Sequence, residues 1–375
     1  MKCLPLFCAL AVFNLDYCVW AQQRGTEVQL SNVKEILRPD DHTCVRYFVD
    51  ENGATQLIRN LDHWRTRRQS ILENVQKVMG PLPDRKHLPP VNMEILEEQV
   101  LGSGVVRREI RFLSEGNDWV HAYLMLPNRR DVGSREGKES KRGILCLHQT
   151  IAIGKEEPAG LGGSQNLQYA RELAERGMVT LTPDYPSFGD HPYDFAQHPE
   201  WTSGSMKAIW DNMRAIDLML QLGLVEEGKI GCIGHSLGGH NAIFTSVFDE
   251  RIRAVVSSCG FTRFHKYYRG DLKGWTSDRY MPLISKSYKN DPDRVPFDFP
   301  ELIAGIAPRG FFTSSPVRDD NFDADGVRDT IKEADVVYKL FNAAGNLQAI
   351  YPDSAHDFPP AARELAYRFL EEQLR

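Results

Sequence analysis

The stretch that decides the fold is Lys229-Ile230-Gly231-Cys232-Ile233-Gly234-His235-Ser236-Leu237-Gly238-Gly239, in which an apolar strand runs into a G-x-S-x-G turn. Ala242-Ile243-Phe244 continues it as a helix. A sharp strand-to-helix turn strains the backbone of its central serine, and the flanking glycines keep Cβ atoms out of the crowded turn. The hydroxyl of Ser236 is then exposed at a helix N-terminus, where the helix dipole favours developing negative charge. The pattern therefore predicts that Ser236 is a nucleophile.

Apolar strands alternate with helices on both sides of this turn. The predicted strands are Gly143–Leu147, Met178–Thr182, Lys229–Ile233, Ile252–Ser257, Gly310–Thr313 and Leu347–Tyr351. Continuous apolar strands separated by helices predict an α/β protein whose central sheet is mostly parallel and is covered by helices on both faces. Three upstream segments, Val91–Val100, Val105–Phe112 and Trp119–Leu126, are joined by turn residues and predict antiparallel strands before this unit.

The N-terminal end of the chain has the pattern of a signal peptide. Lys2 precedes an apolar run, and Val19-Trp20-Ala21 places small residues where signal peptidase cleaves. We therefore expect residues 1–21 to be removed after Ala21 and the protein to be secreted or periplasmic. Three of the seven cysteines lie in this segment (Cys3, Cys8 and Cys18).

The remaining chain divides into two predicted parts. Residues 22–90 are predicted to form a helical extension that packs on the main domain, because apolar residues recur at helical spacing from Ala54 to Met79. Residues 91–375 are predicted to form the catalytic domain. The stretch from about 261 to 303 is rich in aromatic residues without clear periodicity and is predicted to be a lid-like insertion, which either stacks on substrate or packs on itself.

Composition excludes several classes of protein. The 375 residues carry 45 Lys and Arg against 51 Asp and Glu, a formal net charge of −6, so no basic excess is present to bind nucleic acid. No apolar run is long enough to cross a membrane, which argues against integral membrane association. The cysteine spacings match no zinc pattern. The sequence therefore predicts no metal and no organic cofactor, and it leaves the oligomeric state open.

A hydroxyl nucleophile needs a base, and the base needs an acid to orient it. His356 follows the last predicted strand and lies at the same sheet edge as Ser236, so we expect it to be the base. The acid should lie between the two in sequence, after the strand that ends near Thr313. Asp319 is the preferred candidate and Asp320 the alternative.

The oxyanion of the reaction needs two hydrogen-bond donors. One is the backbone N–H of Leu237, the residue that follows the nucleophile. The other is expected from the loop after Gly143–Leu147, where Thr150 is the preferred donor and Gln149 the alternative.

From about Val91 to its C-terminus the chain resembles the α/β-hydrolase superfamily, and within it the dienelactone-hydrolase and acetyl-xylan-esterase-like branch. The supporting residues are Gly234-His235-Ser236-Leu237-Gly238-Gly239, Leu147-His148-Gln149-Thr150, Asp184-Tyr185-Pro186-Ser187-Phe188-Gly189 and His356-Asp357-Phe358. A dienelactone hydrolase proper would use a cysteine nucleophile, so Ser236 favours general ester hydrolysis.

The resemblance implies an exported serine hydrolase that cleaves carboxylic esters, small or carbohydrate-linked, through an acyl-enzyme. Two alternatives stay open. One is a serine peptidase of the prolyl-oligopeptidase type, against which the segment before Val91 is too short for a propeller domain. The other is a non-catalytic binding protein on a hydrolase scaffold.

Overall fold

The computed structural model describes residues 41–128 and 142–375, and the predicted signal peptide, residues 1–21, lies outside them. The strands are β1 (Tyr47–Val49), β2 (Thr55–Leu57), β3 (Met93–Val100), β4 (Val106–Glu115), β5 (Asp118–Leu126), β6 (Gly143–Leu147), β7 (Val179–Pro183), β8 (Ile230–His235), β9 (Ile252–Ser258), β10 (Gly310–Ser314) and β11 (Leu347–Ile350). The helices are α1 (Leu61–Met79), α2 (Tyr169–Glu175), α3 (Gly204–Gln221), α4 (Leu237–Phe248), α5 (Leu283–Lys286), α6 (Phe299–Ile306), α7 (Ala324–Leu340) and α8 (Pro360–Gln373).

Strands β3 to β11 form one sheet in the order β11-β10-β9-β8-β6-β7-β5-β4-β3. Strands β6 to β11 pair in parallel, whereas β3, β4 and β5 pair antiparallel and join the parallel part through β7. This is the predicted architecture, a mostly parallel sheet preceded by antiparallel strands. No helix within the described ranges is long and apolar enough to cross a membrane.

Both faces of the sheet are buried, because successive side chains of a strand point to opposite faces. In β6, Leu145 and Leu147 join one hydrophobic cluster while Ile144 and Cys146 join another. Helices α1, α3, α4, α6 and α7 contribute to the first cluster, and α2 and α8 to the second. The near-continuous apolar character of the parallel strands follows from this two-sided covering.

The helix predicted from Ala54 is shorter than expected. Thr55–Leu57 forms a strand that pairs antiparallel with Tyr47–Val49, and the helix begins at Leu61. The side chain of Asn60 accepts a hydrogen bond from the His63 amide, which caps the helix. The apolar Leu57 matched the helical period by chance, so periodicity alone misplaced the N-terminal boundary.

Helix α1 is attached to the catalytic region through α6. Arg67 is almost fully buried and forms an ion pair with Glu301 of α6, and Arg68 Nε donates to the Gly305 carbonyl oxygen at 3.0 Å. Trp64 and Ile71 are buried on the same helix. Helix α1 of the N-terminal extension is therefore packed against the helices that cover the central sheet.

We expect Ile71→Ala to lower the free energy of unfolding by about 2–5 kcal/mol, because it leaves a cavity where a fully buried side chain packs. Glu73→Ala on the exposed side of α1 is the matched control and should change it by less than about 0.5 kcal/mol. Urea unfolding followed by circular dichroism measures both. Equal effects of the two substitutions would show that α1 does not contribute to the core.

Candidate active site

Ser236 lies between β8 and α4 with φ +53° and ψ −117°, a conformation that L-residues rarely adopt. A Cβ atom on Gly234 would lie 2.2 Å from the Gly238 carbonyl carbon, and one on Gly238 would lie 1.9 Å from the Leu147 carbonyl oxygen. Only glycine fits at either position. The predicted tight turn at Ser236 is therefore present. The backbone N–H of Ser236 donates a hydrogen bond to the Ser258 carbonyl oxygen at 2.9 Å.

His356 and Asp319 are brought together from separate loops. His356 follows β11 and Asp319 follows β10, and His356 Nδ1 lies 2.9 Å from Asp319 Oδ2. A carboxylate can only accept hydrogen bonds, so Nδ1–H of His356 is the donor of this bond. The His356 side chain is 29 % exposed and that of Asp319 is 1 % exposed.

Asp319 is held ionised by its partners. Its burial raises its pKa, but the hydrogen bond and charge of His356 and the amides of Asn321 and Phe322 outweigh burial and leave the pKa below its usual range. Those amides donate to Oδ1 at 2.8 and 3.1 Å. Asp320, the alternative acid, is exposed. Of the two acids, the structure pairs Asp319 with His356.

The histidine lies beside the turn that carries Ser236. Its ring centroid is 4.8 Å from that of His235, the residue before the serine, and 6.0 Å from that of Phe322. Burial, with the charge of His356, lowers the pKa of His235 to about 3, so that second imidazole is neutral. The geometry places one base-type side chain, with an ionised acid behind it, against His235, the residue before the predicted nucleophile.

The two predicted oxyanion donors lie at adjacent elements. Leu237 is the first residue of α4, so its amide has no partner within the helix. The loop after β6 approaches this helix closely, as the contact of Gly238 with the Leu147 carbonyl shows. Both amides on that loop, those of Gln149 and Thr150, remain candidates for the second donor.

A buried carboxylate that sequence reasoning missed fixes this loop. Glu157 is 1 % exposed, and it accepts hydrogen bonds from Gln149 Nε2 at 3.0 and 2.9 Å and from the Ser164 amide at 2.9 Å. Thr150 Oγ1 lies 2.9 Å from the Tyr280 hydroxyl oxygen. The side chain of Gln149 is thus occupied in positioning the loop, while Thr150 faces the segment predicted to be a lid.

Asp184 and Asp190 fix the loop after β7. Buried Lys155 forms ion pairs with both carboxylates. Asp184 also accepts from the Lys155 amide at 2.7 Å and the Asp190 amide at 2.9 Å. No sequence motif marks Lys155 or Glu157 as buried. Each appears in the sequence only as a charged residue in a glycine-rich loop.

The aromatic segment from 261 to 303 packs largely on itself. Phe264 and Tyr267 are buried around Trp275, with ring centroids 5.9 and 5.4 Å from it. The ring centroid of Trp275 also lies 4.7 Å from that of buried His240 on α4, so His240 is a packed side chain. The segment therefore lies directly against the helix that begins after Ser236.

Known proteins resemble the chain in two ways. Residues 193–342 match the family model described as glucuronyl esterase of fungi. A protein of Bacillus subtilis (strain 168), YtaP, whose name describes a hydrolase, is 26 % identical over 313 residues, covering 80 % of this chain and 97 % of YtaP.

Solved structures agree with this fold. A glucuronoyl esterase from Solibacter usitatus superimposes with a TM-score of 0.70 at 19 % identity, covering 89 % of this chain and 98 % of that one. A carbohydrate esterase family 15 glucuronoyl esterase from Caldicellulosiruptor kristjansonii gives a TM-score of 0.63 at 19 % identity, covering 88 % and 89 %.

The chain belongs to the α/β-hydrolase superfamily. The order of strands in the sheet, the strained turn at Ser236 and the similarity to these known proteins all support this class. Within that superfamily it is a carboxylic ester hydrolase, as the match to an esterase family model indicates.

We expect Asp319→Asn to lower kcat for an aryl ester by about 10³–10⁴-fold, because the amide cannot accept the Nδ1 proton and stabilise the imidazolium. Asp320→Asn is the matched control on the neighbouring exposed residue and should retain most activity. Steady-state kinetics with p-nitrophenyl acetate measures both. The reverse order of effects would move the acid to Asp320.

Proposed function

We propose that the protein is an exported serine esterase that cleaves carboxylic esters of carbohydrates, with Ser236 as nucleophile, His356 as base and Asp319 as the orienting acid. The observation that carries the proposal is the strained Ser236 turn beside the His356–Asp319 pair. The family model for glucuronyl esterases and the fold shared with glucuronoyl esterases support a carbohydrate ester as substrate.

The first half of the reaction forms an acyl-enzyme. Ser236 Oγ attacks the ester carbonyl carbon while its proton passes to Nε2 of His356, and Asp319 accepts the hydrogen bond of Nδ1–H throughout. The amide of Leu237 and one amide of the Gln149–Thr150 loop stabilise the oxyanion. Collapse of the intermediate expels the alcohol, which takes the proton from His356.

The second half of the reaction releases the acid. His356 takes a proton from water, the resulting hydroxide equivalent attacks the acyl carbon, and the Ser236 oxygen leaves with that proton. Each step uses only side chains and amides of this chain.

The ester proposal is favoured over the two other functions that the sequence left open. A peptidase and an esterase can share the same triad order, so the triad does not separate them, whereas the matched family model describes esterases. A binding protein would not need the strained backbone at Ser236 or an ionised acid behind His356.

Ser236→Ala should lower kcat by about 10⁶-fold in ester hydrolysis, because the covalent intermediate can no longer form. Wild-type protein should react with a fluorophosphonate probe at Ser236, and the variant should not, as intact-mass spectrometry would show. Circular dichroism of the variant verifies its fold. Wild-type activity in Ser236→Ala would refute the assignment.

A substrate panel tests the carbohydrate part of the proposal. We expect higher kcat/KM for benzyl glucuronate than for benzyl acetate, which has the same leaving group, or for acetylated sugars than for benzyl acetate, which has the same acyl group. Glucuronate esters place the sugar on the acyl side and acetylated sugars place it on the alcohol side, so their ratio identifies which side is recognised. Faster cleavage of peptide amides than of every ester would favour the peptidase.

A further inference from the structure

The base of the proposed triad is surrounded by side chains that are good ligands for soft divalent metals. His235, Cys259 and His356 each offer a ligand atom, and these three atoms lie within 4.8 Å of one another. Cys259 directly follows β9 with φ +47°, and its Sγ lies 3.4 Å from the Asp357 carbonyl oxygen. The carboxyl ends of β9 and β8 thus bring a thiol and a second imidazole to the catalytic imidazole, which lies on the loop after β11.

The chemistry of this set is that of a zinc-class site. One thiol and two imidazoles select Zn²⁺, Cd²⁺ or Co²⁺ over Mg²⁺ or Ca²⁺, which prefer oxygen ligands. Tetrahedral zinc with bonds of about 2.0–2.3 Å holds its ligand atoms about 3.5 Å apart. Of the three side chains, that of His356 is partly exposed on a loop, so it is the one with room to move toward an ion. Asp319, hydrogen-bonded to His356, supplies a carboxylate beside it.

We propose that His235, Cys259 and His356 form an inhibitory binding site for Zn²⁺ and related soft divalent ions, which overlaps the catalytic base. The ion acts as an inhibitor and not as a cofactor. On binding, the Cys259 thiol loses a proton to solvent and its sulfur bonds to the metal. If His356 binds through Nε2, the lone pair that accepts the serine proton is used; if it binds through Nδ1, the bond to Asp319 is lost.

The proposal rests on the proposed function only for the consequence of binding, so binding is measured separately. Co²⁺ alone is added to untagged full-length protein with Ser236→Ala, which cannot turn over substrate. We expect a thiolate-to-cobalt charge-transfer band that saturates at one equivalent. The band should be absent in the Ser236→Ala/Cys259→Ala protein and present when Cys146→Ala, a buried thiol elsewhere in the sheet, is the second substitution.

Inhibition is measured in the wild-type background. Zn²⁺ should inhibit ester hydrolysis, EDTA should restore it, and Mg²⁺ at the same concentration should have no effect. The Zn²⁺ concentration for half-inhibition, relative to each protein's own metal-free rate, should rise at least about tenfold in Cys259→Ala and be unchanged in Cys146→Ala. Cys259→Ser, which keeps a small polar side chain, serves if the alanine variant is unstable.

Three outcomes would overturn the metal site: no thiolate band, a band that survives loss of Cys259, or equal inhibition of the Cys259 and Cys146 variants. A band without any esterase activity would refute the proposed function and leave the site standing. Activity that resists Zn²⁺ although the band forms would refute the inhibitory role of the site and leave the proposed function standing.

Discussion

The structure depends on one costly backbone conformation, the left-handed φ of +53° at Ser236. A non-glycine residue in such a region costs about 1–3 kcal/mol and persists only when its surroundings hold it there. Here the restraints are packing and hydrogen bonding: glycines at 234 and 238 allow backbone contacts that no side chain could permit, and the Ser236 amide is bound to β9. The sheet, the close loop after β6 and helix α4 thus jointly fix the direction of one hydroxyl.

Buried charges do the same for the surrounding loops. Lys155 is fully buried between Asp184 and Asp190, and Glu157 receives hydrogen bonds from Gln149 and Ser164. The buried ion pair of Lys155 with Asp184 adds little net stability, but removing one of these two partners would leave an unpaired buried charge that costs about 3–5 kcal/mol. The loops after β6 and β7 are therefore restricted to arrangements that keep these partners, which holds the candidate oxyanion loop in place beside α4.

The sequence predicted the sheet and the chain order of the candidate site because both follow from local patterns. The continuous apolar segments indicated strands buried on both faces, and the G-x-S-x-G motif predicted the turn at Ser236. The choice between Asp319 and Asp320 needed the structure, since neighbouring acids in a loop have no periodicity and only the fold decides which one reaches His356.

Other features escaped the sequence because they are long-range. Thr55–Leu57 forms a strand although its apolar spacing predicted a helix. This strand is stabilised by pairing with Tyr47–Val49, which the local pattern does not show. From the sequence alone, Cys259 is interpreted as a small apolar residue that follows an apolar strand. Its proximity to His356 appears only when β9 and the loop after β11 are placed side by side.

The charges around His356 explain why a second imidazole can lie so close to the base. When His356 accepts the serine proton, its new positive charge is balanced by Asp319, whose pKa is held low. A charged neighbour 4.8 Å away would oppose that step, but burial keeps His235 neutral with a pKa of about 3, and burial also raises the pKa of the Cys259 thiol. Asp319 and His356 therefore go from one net negative charge to none, while the groups packed around them stay uncharged. The imidazole of His235 and the thiol of Cys259 that surround the base are also the donors of the proposed metal site.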